Sequence, residues 1–207
     1  MIALSPYVMN SDIIIYDNFY DDPFYVRNIA LDSDFLQAAP ISYNTNEVLW
    51  QGKTSQLIYK PKYIDVKVSK ILNIPVRSDE VSGFFRLSKT NDSPGIFCHT
   101  DGYPDTDKRK FTGVLYLNTP EQSLDKVGTV FLKHRRTNKV KLEYMSDYNQ
   151  VFMDYNNSDA WERYYTTLLK FNRLVLLNSL LFHAIGEVFG EDKMSARLAQ
   201  IFTFYEI

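Results

Sequence analysis

The sequence predicts a mainly β protein in which helices flank a double-stranded β-helix, or jelly-roll, core. Three observations carry that expectation. Two helix-like segments near the N-terminus are followed, from Glu80 onward, by a succession of short β-rich runs. Turn residues separate several of these runs, a pattern that suits a double sheet with helices packed on one face. Aromatics make up 15% of the chain, with 15 Tyr and 14 Phe, and such side chains fit a pleated, half-buried surface.

Ile13, Ile14, Ile15 and Tyr16 read as a short buried strand. Asp21-Asp22-Pro23 then opens a helix, with an acidic cap and Pro at the first helical position. Its apolar residues Phe24, Val26, Ile29, Ala30 and Leu31 do not form one ideal stripe, but most can face a sheet. Residues 32–53 are polar and punctuated by Pro40 and Gly52, which predicts a long loop. Pro61 starts a second helix, with Ile64, Val68, Ile71 and Leu72 at helical spacing, and Pro75 ends it. Strands are expected over 81–87, 111–118, 129–133, 140–144, 171–178, 181–188 and 197–205. The stretch 144–170 breaks this rhythm: it is rich in Tyr, Phe and Trp, and Asp159 is placed to cap a helix running to Leu169. As an insertion it is either a lid or wall that selects a substrate, through Trp161 among others, or a packing element.

A chain of 207 residues is long enough to bury a full core as one domain, 1–207. Residues 1–79 then supply the N-terminal strand and supporting helices, and 80–207 the jelly-roll core. Hydrophobic and charged contents of 45% and 23% are ordinary for a globular protein. A net charge of −2 argues against binding by phosphate neutralisation, so no nucleic-acid partner is expected. The basic cluster Lys133-His134-Arg135-Arg136, with Lys139 and Lys141, reads as a solvated hairpin. Cys98 is the single cysteine, which rules out an internal disulfide or a CxxC zinc site and suits a reducing, cytoplasmic setting. No secretory leader or membrane span is expected from the first residues or from any apolar run.

The most informative motif is His99-Thr100-Asp101, followed far downstream by His183 and then Arg197. In an extended strand, residues two apart share a face, so His99 and Asp101 can reach one ion. His183 supplies a second imidazole from another strand. Two histidines and one carboxylate make the facial set that suits non-haem Fe(II) and leaves coordination positions open. Arg197 offers a planar fork matched to a carboxylate. The chain has three histidines in all, and two of them fall where this set needs them.

These residues resemble the Fe(II)/2-oxoglutarate-dependent dioxygenases, close to the prolyl-hydroxylase-like branch. The stretch from Lys110 to Asn118 is similar to the family strand after the HxD, and Gly128 to Leu132 to the next. The resemblance implies Fe(II) on His99, Asp101 and His183, 2-oxoglutarate as co-substrate, and O₂ as oxidant. It implies hydroxylation of an amino acid, small metabolite or peptide side chain, with release of succinate and CO₂. It also implies that Arg197 pairs with the distal carboxylate of 2-oxoglutarate and that Tyr116 donates a hydrogen bond to it. The chain departs from the pattern in two places: Arg197 lies further from His183 than is usual, and Ala199 stands where a hydroxyl residue often follows the arginine. Asp101 is unlike the small residue of halogenating members, and Thr203 replaces the second arginine of DNA-repair members. Two other readings of the same residues are a non-catalytic jelly-roll binding protein and a cupin-type metal enzyme that does not use 2-oxoglutarate.

Overall fold

A computed structural model describes residues 7–10, 12–37, 52–92, 98–104 and 110–207. The strands are β1 (Tyr7–Asn10), β2 (Ile13–Tyr16), β3 (Phe35–Gln37), β4 (Lys53–Ile58), β5 (Val76–Ser78), β6 (Phe84–Ser88), β7 (Lys110–Tyr116), β8 (Val127–His134), β9 (Trp161–Leu168), β10 (Leu174–Asn178), β11 (His183–Ile185) and β12 (Arg197–Glu206). The helices are α1 (Pro23–Asp32), α2 (Ile64–Leu72), α3 (Pro120–Ser123) and α4 (Met145–Val151). A major sheet runs β1-β2-β10-β7-β12-β6-β4-β3, with β5 also on β12, and a minor sheet runs β11-β8-β9. Every pairing is antiparallel. The expected jelly-roll architecture is the one observed, with α1 and α2 on the major sheet and α4 against the minor one instead of all helices on one face.

Alternation along the central strands builds the layers. On β7, β10 and β12, Leu115, Leu174, Leu176, Leu198, Phe202 and Phe204 face the helices and join Val26, Ala30, Ile64 and Val68 in one core. The intervening Val114, Tyr116, Val175, Leu177 and Ala199 face the minor sheet, where Phe131 meets them. Full burial of each such aliphatic side chain contributes roughly 1.5–3 kcal/mol. On its outer side, the minor sheet packs Val130, Leu132, Phe182 and Ala184 against Val151, Tyr155 and Trp161.

α1 starts as its sequence requires, whereas α2 begins at Ile64 rather than at the expected Pro61. The Asp22 carboxylate caps α1 by accepting from the Tyr25 N–H at 3.0 Å, with Pro23 next in line. α2 ends on Asn73, whose φ of 55° is the left-handed conformation that Asn tolerates, two residues before Pro75. Arg27 adds a tie that the apolar pattern of α1 did not signal. It is buried, and it donates to the carbonyls of Leu117 and Met194, both at 2.9 Å.

Several expectations need correction. Of the loop read over 32–53, Asp32 closes α1, Phe35–Gln37 is β3 and Lys53 opens β4, while 38–51 lie outside the described residues. The strand expected at 140–144 shrinks to a bridge between Lys141 and Leu181, because the chain turns at once into α4. Asp159 caps no helix. It sits in a 3₁₀ turn, Ser158–Ala160, and Trp161–Leu168 forms β9. Pairing with β8 decided this, since the aromatic and β-branched residues fit a sheet as well as a helix. The basic cluster is met by carboxylates: Lys133 by Glu162, Arg136 by Asp154, Lys139 by Asp147 and Lys141 by Asp12. No helix among the described residues is long and apolar enough to cross a membrane.

Candidate active site

The two histidines are placed by backbone before side chains enter. His99 and His183 form an isolated antiparallel bridge, each N–H donating to the other's carbonyl at 3.0 Å. This brings the imidazole centroids to 4.3 Å. Asp101, two residues on, is held by its own N–H and that of Gly102, which donate to the Ser179 carbonyl at 2.9 and 3.0 Å. Its carboxylate lies 3.3 Å from His183 Nε2 and 3.7 Å from His99 Nε2. One donor atom from each of the three lies within 4.8 Å of the other two. Nδ1 of His183 is 2.9 Å from the Leu181 carbonyl, which can only accept, so Nδ1 carries the proton and the Nε2 lone pair faces the cluster.

Charge within the cluster suits a cation. Burial and the neighbouring His183 hold the His99 imidazole down at about 3, which keeps its ligand nitrogen free of a proton. Burial alone would raise the Asp101 carboxyl, but the charges and hydrogen bonds of His183, His99 and Thr112 outweigh it and hold it below the usual range. Burial lowers His183, and Asp101 more than reverses that, so its proton affinity ends above normal. The side chains of His99 and Asp101 remain 33% and 32% exposed. That exposure opens onto a cavity of about 380 Å³, lined also by Arg86, Ser88, Thr129, Arg197, Ala199 and Ile201. The size is within the usual range of small-ligand pockets.

Arg197, the first residue of β12, lines this cavity at 4% exposure. Its guanidinium donates to the carbonyls of Gly128 at 2.9 Å, Glu187 at 3.1 Å and Val127 at 3.3 Å. Among the described residues, no carboxylate is within ion-pair distance of it. Burial lowers its proton affinity, although the cation persists because an arginine begins so high. The long turn expected between His183 and Arg197 is what delivers the Glu187 carbonyl.

Tyr116, whose hydroxyl is expected to donate to the co-substrate carboxylate, holds that hydroxyl against two threonines in this structure. Its ring lies under Arg197, 5.5 Å from the guanidinium carbon, but it does not line the cavity. Its hydroxyl is engaged by Thr129 at 2.7 Å and Thr167 at 2.9 Å. Gly128 is required here, since a Cβ would come within 2.4 Å of that hydroxyl. Of the two alternatives left open for 144–170, Trp161 follows the packing one rather than the lid. It opens β9 and is buried on the outer side of the minor sheet, against Phe182 at 5.0 Å and His134 at 4.9 Å, and is absent from the cavity lining. From the same stretch, Tyr148 of α4 comes nearer, edge-on to the lining residue Tyr103 at 5.5 Å, without lining the cavity itself. Arg86 was not foreseen as a site residue. Its signal is a lone cation in the β run Phe84-Phe85-Arg86-Leu87, on the face opposite the buried Phe85 and Leu87.

No protein-family model matches the sequence, and no curated protein matches it. Similarity is found among solved structures. A prolyl hydroxylase from Trichoplax adhaerens, in complex with a hypoxia inducible factor peptide fragment, superposes with a TM-score of 0.54 at 15% identity, over 95% of this chain and 84% of the other. A prolyl-4-hydroxylase from Pseudomonas putida gives 0.50 at 13% identity, over 94% and 92%. HygX from Streptomyces hygroscopicus, with nickel, 2-oxoglutarate and hygromycin B bound, gives 0.50 at 11%, over 93% and 82%.

Proposed function

We propose that this chain, which has the fold of the prolyl hydroxylases, is an Fe(II)- and 2-oxoglutarate-dependent oxygenase. Its prime substrate would be an amino acid, a small metabolite or a peptide side chain, which it hydroxylates. Arg197 supports this best: a buried cation, with no carboxylate within ion-pair distance among the described residues, lines the same cavity as a His-Asp-His cluster. A ligand carboxylate would supply the missing counter-charge, and the planar fork favours a bidentate grip.

The donor set fits the metal. Two imidazole nitrogens and one carboxylate oxygen suit Fe(II), and three donors leave positions for other ligands. Fe(II) there, with 2-oxoglutarate and O₂, supplies the power to oxidise a C–H bond, with succinate and CO₂ released. Leu181, through its carbonyl, keeps His183 in the tautomer that can ligate. Ser179 fixes the main chain of Asp101, and Thr112 supports its carboxylate. Arg197 takes the distal carboxylate of 2-oxoglutarate. Tyr116 supports that guanidinium with its ring, and its hydroxyl would have to leave a threonine to donate to the incoming carboxylate, exchanging a neutral hydrogen bond for a charge-assisted one.

Anaerobic absorption spectroscopy tests this reading. Fe(II) plus 2-oxoglutarate should give a weak visible charge-transfer band, which Arg197→Ala weakens at a fixed co-substrate concentration. Metal uptake with no band at any 2-oxoglutarate concentration would indicate a cupin-type metal enzyme that does not use 2-oxoglutarate. Loss of both would leave a non-catalytic jelly-roll binding protein.

A further inference from the structure

Two guanidinium groups face this cavity, and the co-substrate needs only one. Arg197 and Arg86 stand on neighbouring strands in fixed register: Arg197 opposes Ser88, and Arg86 opposes Ala199. Side chains two apart share a face, so all four point to the same side, and all four line the cavity. The two arginines are thus diagonal neighbours on one wall, with an alanine and a serine as their direct partners. Arg197 is sunk among three main-chain carbonyls, whereas Arg86 is only partly buried.

We propose that Arg86 is a specificity-determining residue that grips a carboxylate on the prime substrate, so that the favoured substrate is a free carboxylic acid. This rests on the oxygenase reading above. Arg86 lines the same cavity as His99, Asp101 and His183, and the Asp101 charge acts on it. The Phe84 ring, 5.5 Å from its guanidinium carbon, backs the cation and limits the directions in which it can turn. Among the described residues that line the cavity there are two guanidinium groups and one carboxylate, a lining biased toward anions. Ala199 contributes to the placement, because its small side chain leaves room between the two forks.

Across the mouth, Tyr103 is 54% exposed and lines the same cavity, with Tyr148 edge-on behind it. This gives an apolar surface for the body of a molecule whose acid end is held at Arg86. An internal residue of a peptide offers no such carboxylate at its backbone, so small acids are favoured over peptide side chains.

The test uses the full chain loaded with Mn(II) and 2-oxoglutarate, with binding measured by calorimetry. The probes are the L-amino acids, their N-acetyl derivatives and simple aliphatic and aromatic carboxylic acids, each beside its own carboxamide. At least one acid should bind about tenfold or more tightly than its amide, as expected for a charge-assisted contact. Arg86→Gln should abolish that preference while Mn(II) and 2-oxoglutarate affinities stay within about twofold. Arg86→Lys should keep part of it, and serves if the glutamine variant does not fold. Acids and amides binding alike, no acid binding at all, or an Arg86 variant that weakens 2-oxoglutarate instead would overturn the assignment. Failure of the unaltered protein to bind 2-oxoglutarate with Mn(II) would overturn the oxygenase reading itself, which is a different result.

Discussion

The two faces of the major sheet are made by the same strands yet are built for opposite ends. On β12, Leu198, Phe202 and Phe204 go to the helix side, where they join an apolar core with Leu115 and Phe85. Arg197, Ala199 and Ile201, the alternate residues of that strand, go to the cavity. One face is close-packed and apolar. The other holds two buried or half-buried cations, threonines and, across the gap, the His-Asp-His cluster. A register slip of one residue would exchange the two sets, burying Arg197 against the helices and turning Phe202 into the cavity. The well-packed face is what allows the other to carry groups that would destabilise a free-standing core.

The largest expected effect separates the faces outright. A His99→Ala, His183→Ala double variant should lose the single equivalent of Fe(II) or Mn(II) taken up by the unaltered protein, with its urea midpoint little changed. Normal uptake by that variant would break the comparison. Phe202→Ala, on the helix side, should do the reverse. It should cost roughly 3–5 kcal/mol of stability in urea unfolding, while metal uptake per folded molecule is retained.

A smaller effect is expected within the cavity. Arg197→Ala should weaken 2-oxoglutarate binding at least about tenfold, since a charge-assisted contact contributes roughly 1.5–3 kcal/mol. Arg197→Lys should recover part of it, because a point charge cannot form the bidentate fork. Equilibrium dialysis with labelled 2-oxoglutarate would show this, and unchanged affinity in both variants would place the anchor elsewhere.

The smallest effect belongs to neither face. Asp17, after β2, accepts from Arg173 through both carboxylate oxygens at 2.6 and 3.1 Å, and from Lys170 at 2.8 Å. Burial pushes its carboxyl up, but these two cations hold it below the ordinary 3.8. A lowered value means that the folded state favours the ionised form. The stabilisation is therefore present above pH 3.8 and lost as pH falls below it through the folded value. Asp17→Asn should cost about 1 kcal/mol at neutral pH and flatten the acid limb of thermal unfolding. An acid limb identical to that of the unaltered protein would show that the cluster is inert.

Legibility in the sequence follows the range of the interactions. The capped start of α1, the stop of α2 ahead of Pro75 and the apolar runs that became β2, β7, β8, β10 and β12 are local features, and all could be read. Strands β3, β4 and β5 could not, because they are held by partners distant in sequence rather than by propensity; β1 was missed too, although its partner β2 is the next strand. Residues 161–168 show the same limit from the other side: the segment offers aromatic and β-branched residues to either helix or sheet, and β8 decides for sheet. Tyr116 was read from its place next to Leu117-Asn118, but its engagement by Thr129 and Thr167 depends on two strands of the other sheet. Arg27 and Arg86 left only a charge within an otherwise apolar stretch as a clue.

By itself the sequence determined the fold class and the chemistry on offer. Alternating apolar runs commit strands to two faces, and a His-x-Asp followed by a distant His and Arg restricts which ligands they can hold. Tertiary structure alone decided what those groups face. The bridge between His99 and His183 brings the donors within 4.8 Å, the carbonyls of three residues cage Arg197, and strand register sets Arg86 diagonally beside it. The reason is physical: alternation along a strand is set by the local backbone, whereas pairing register and cavity shape arise from contacts between residues far apart in the chain, which no short window of sequence contains.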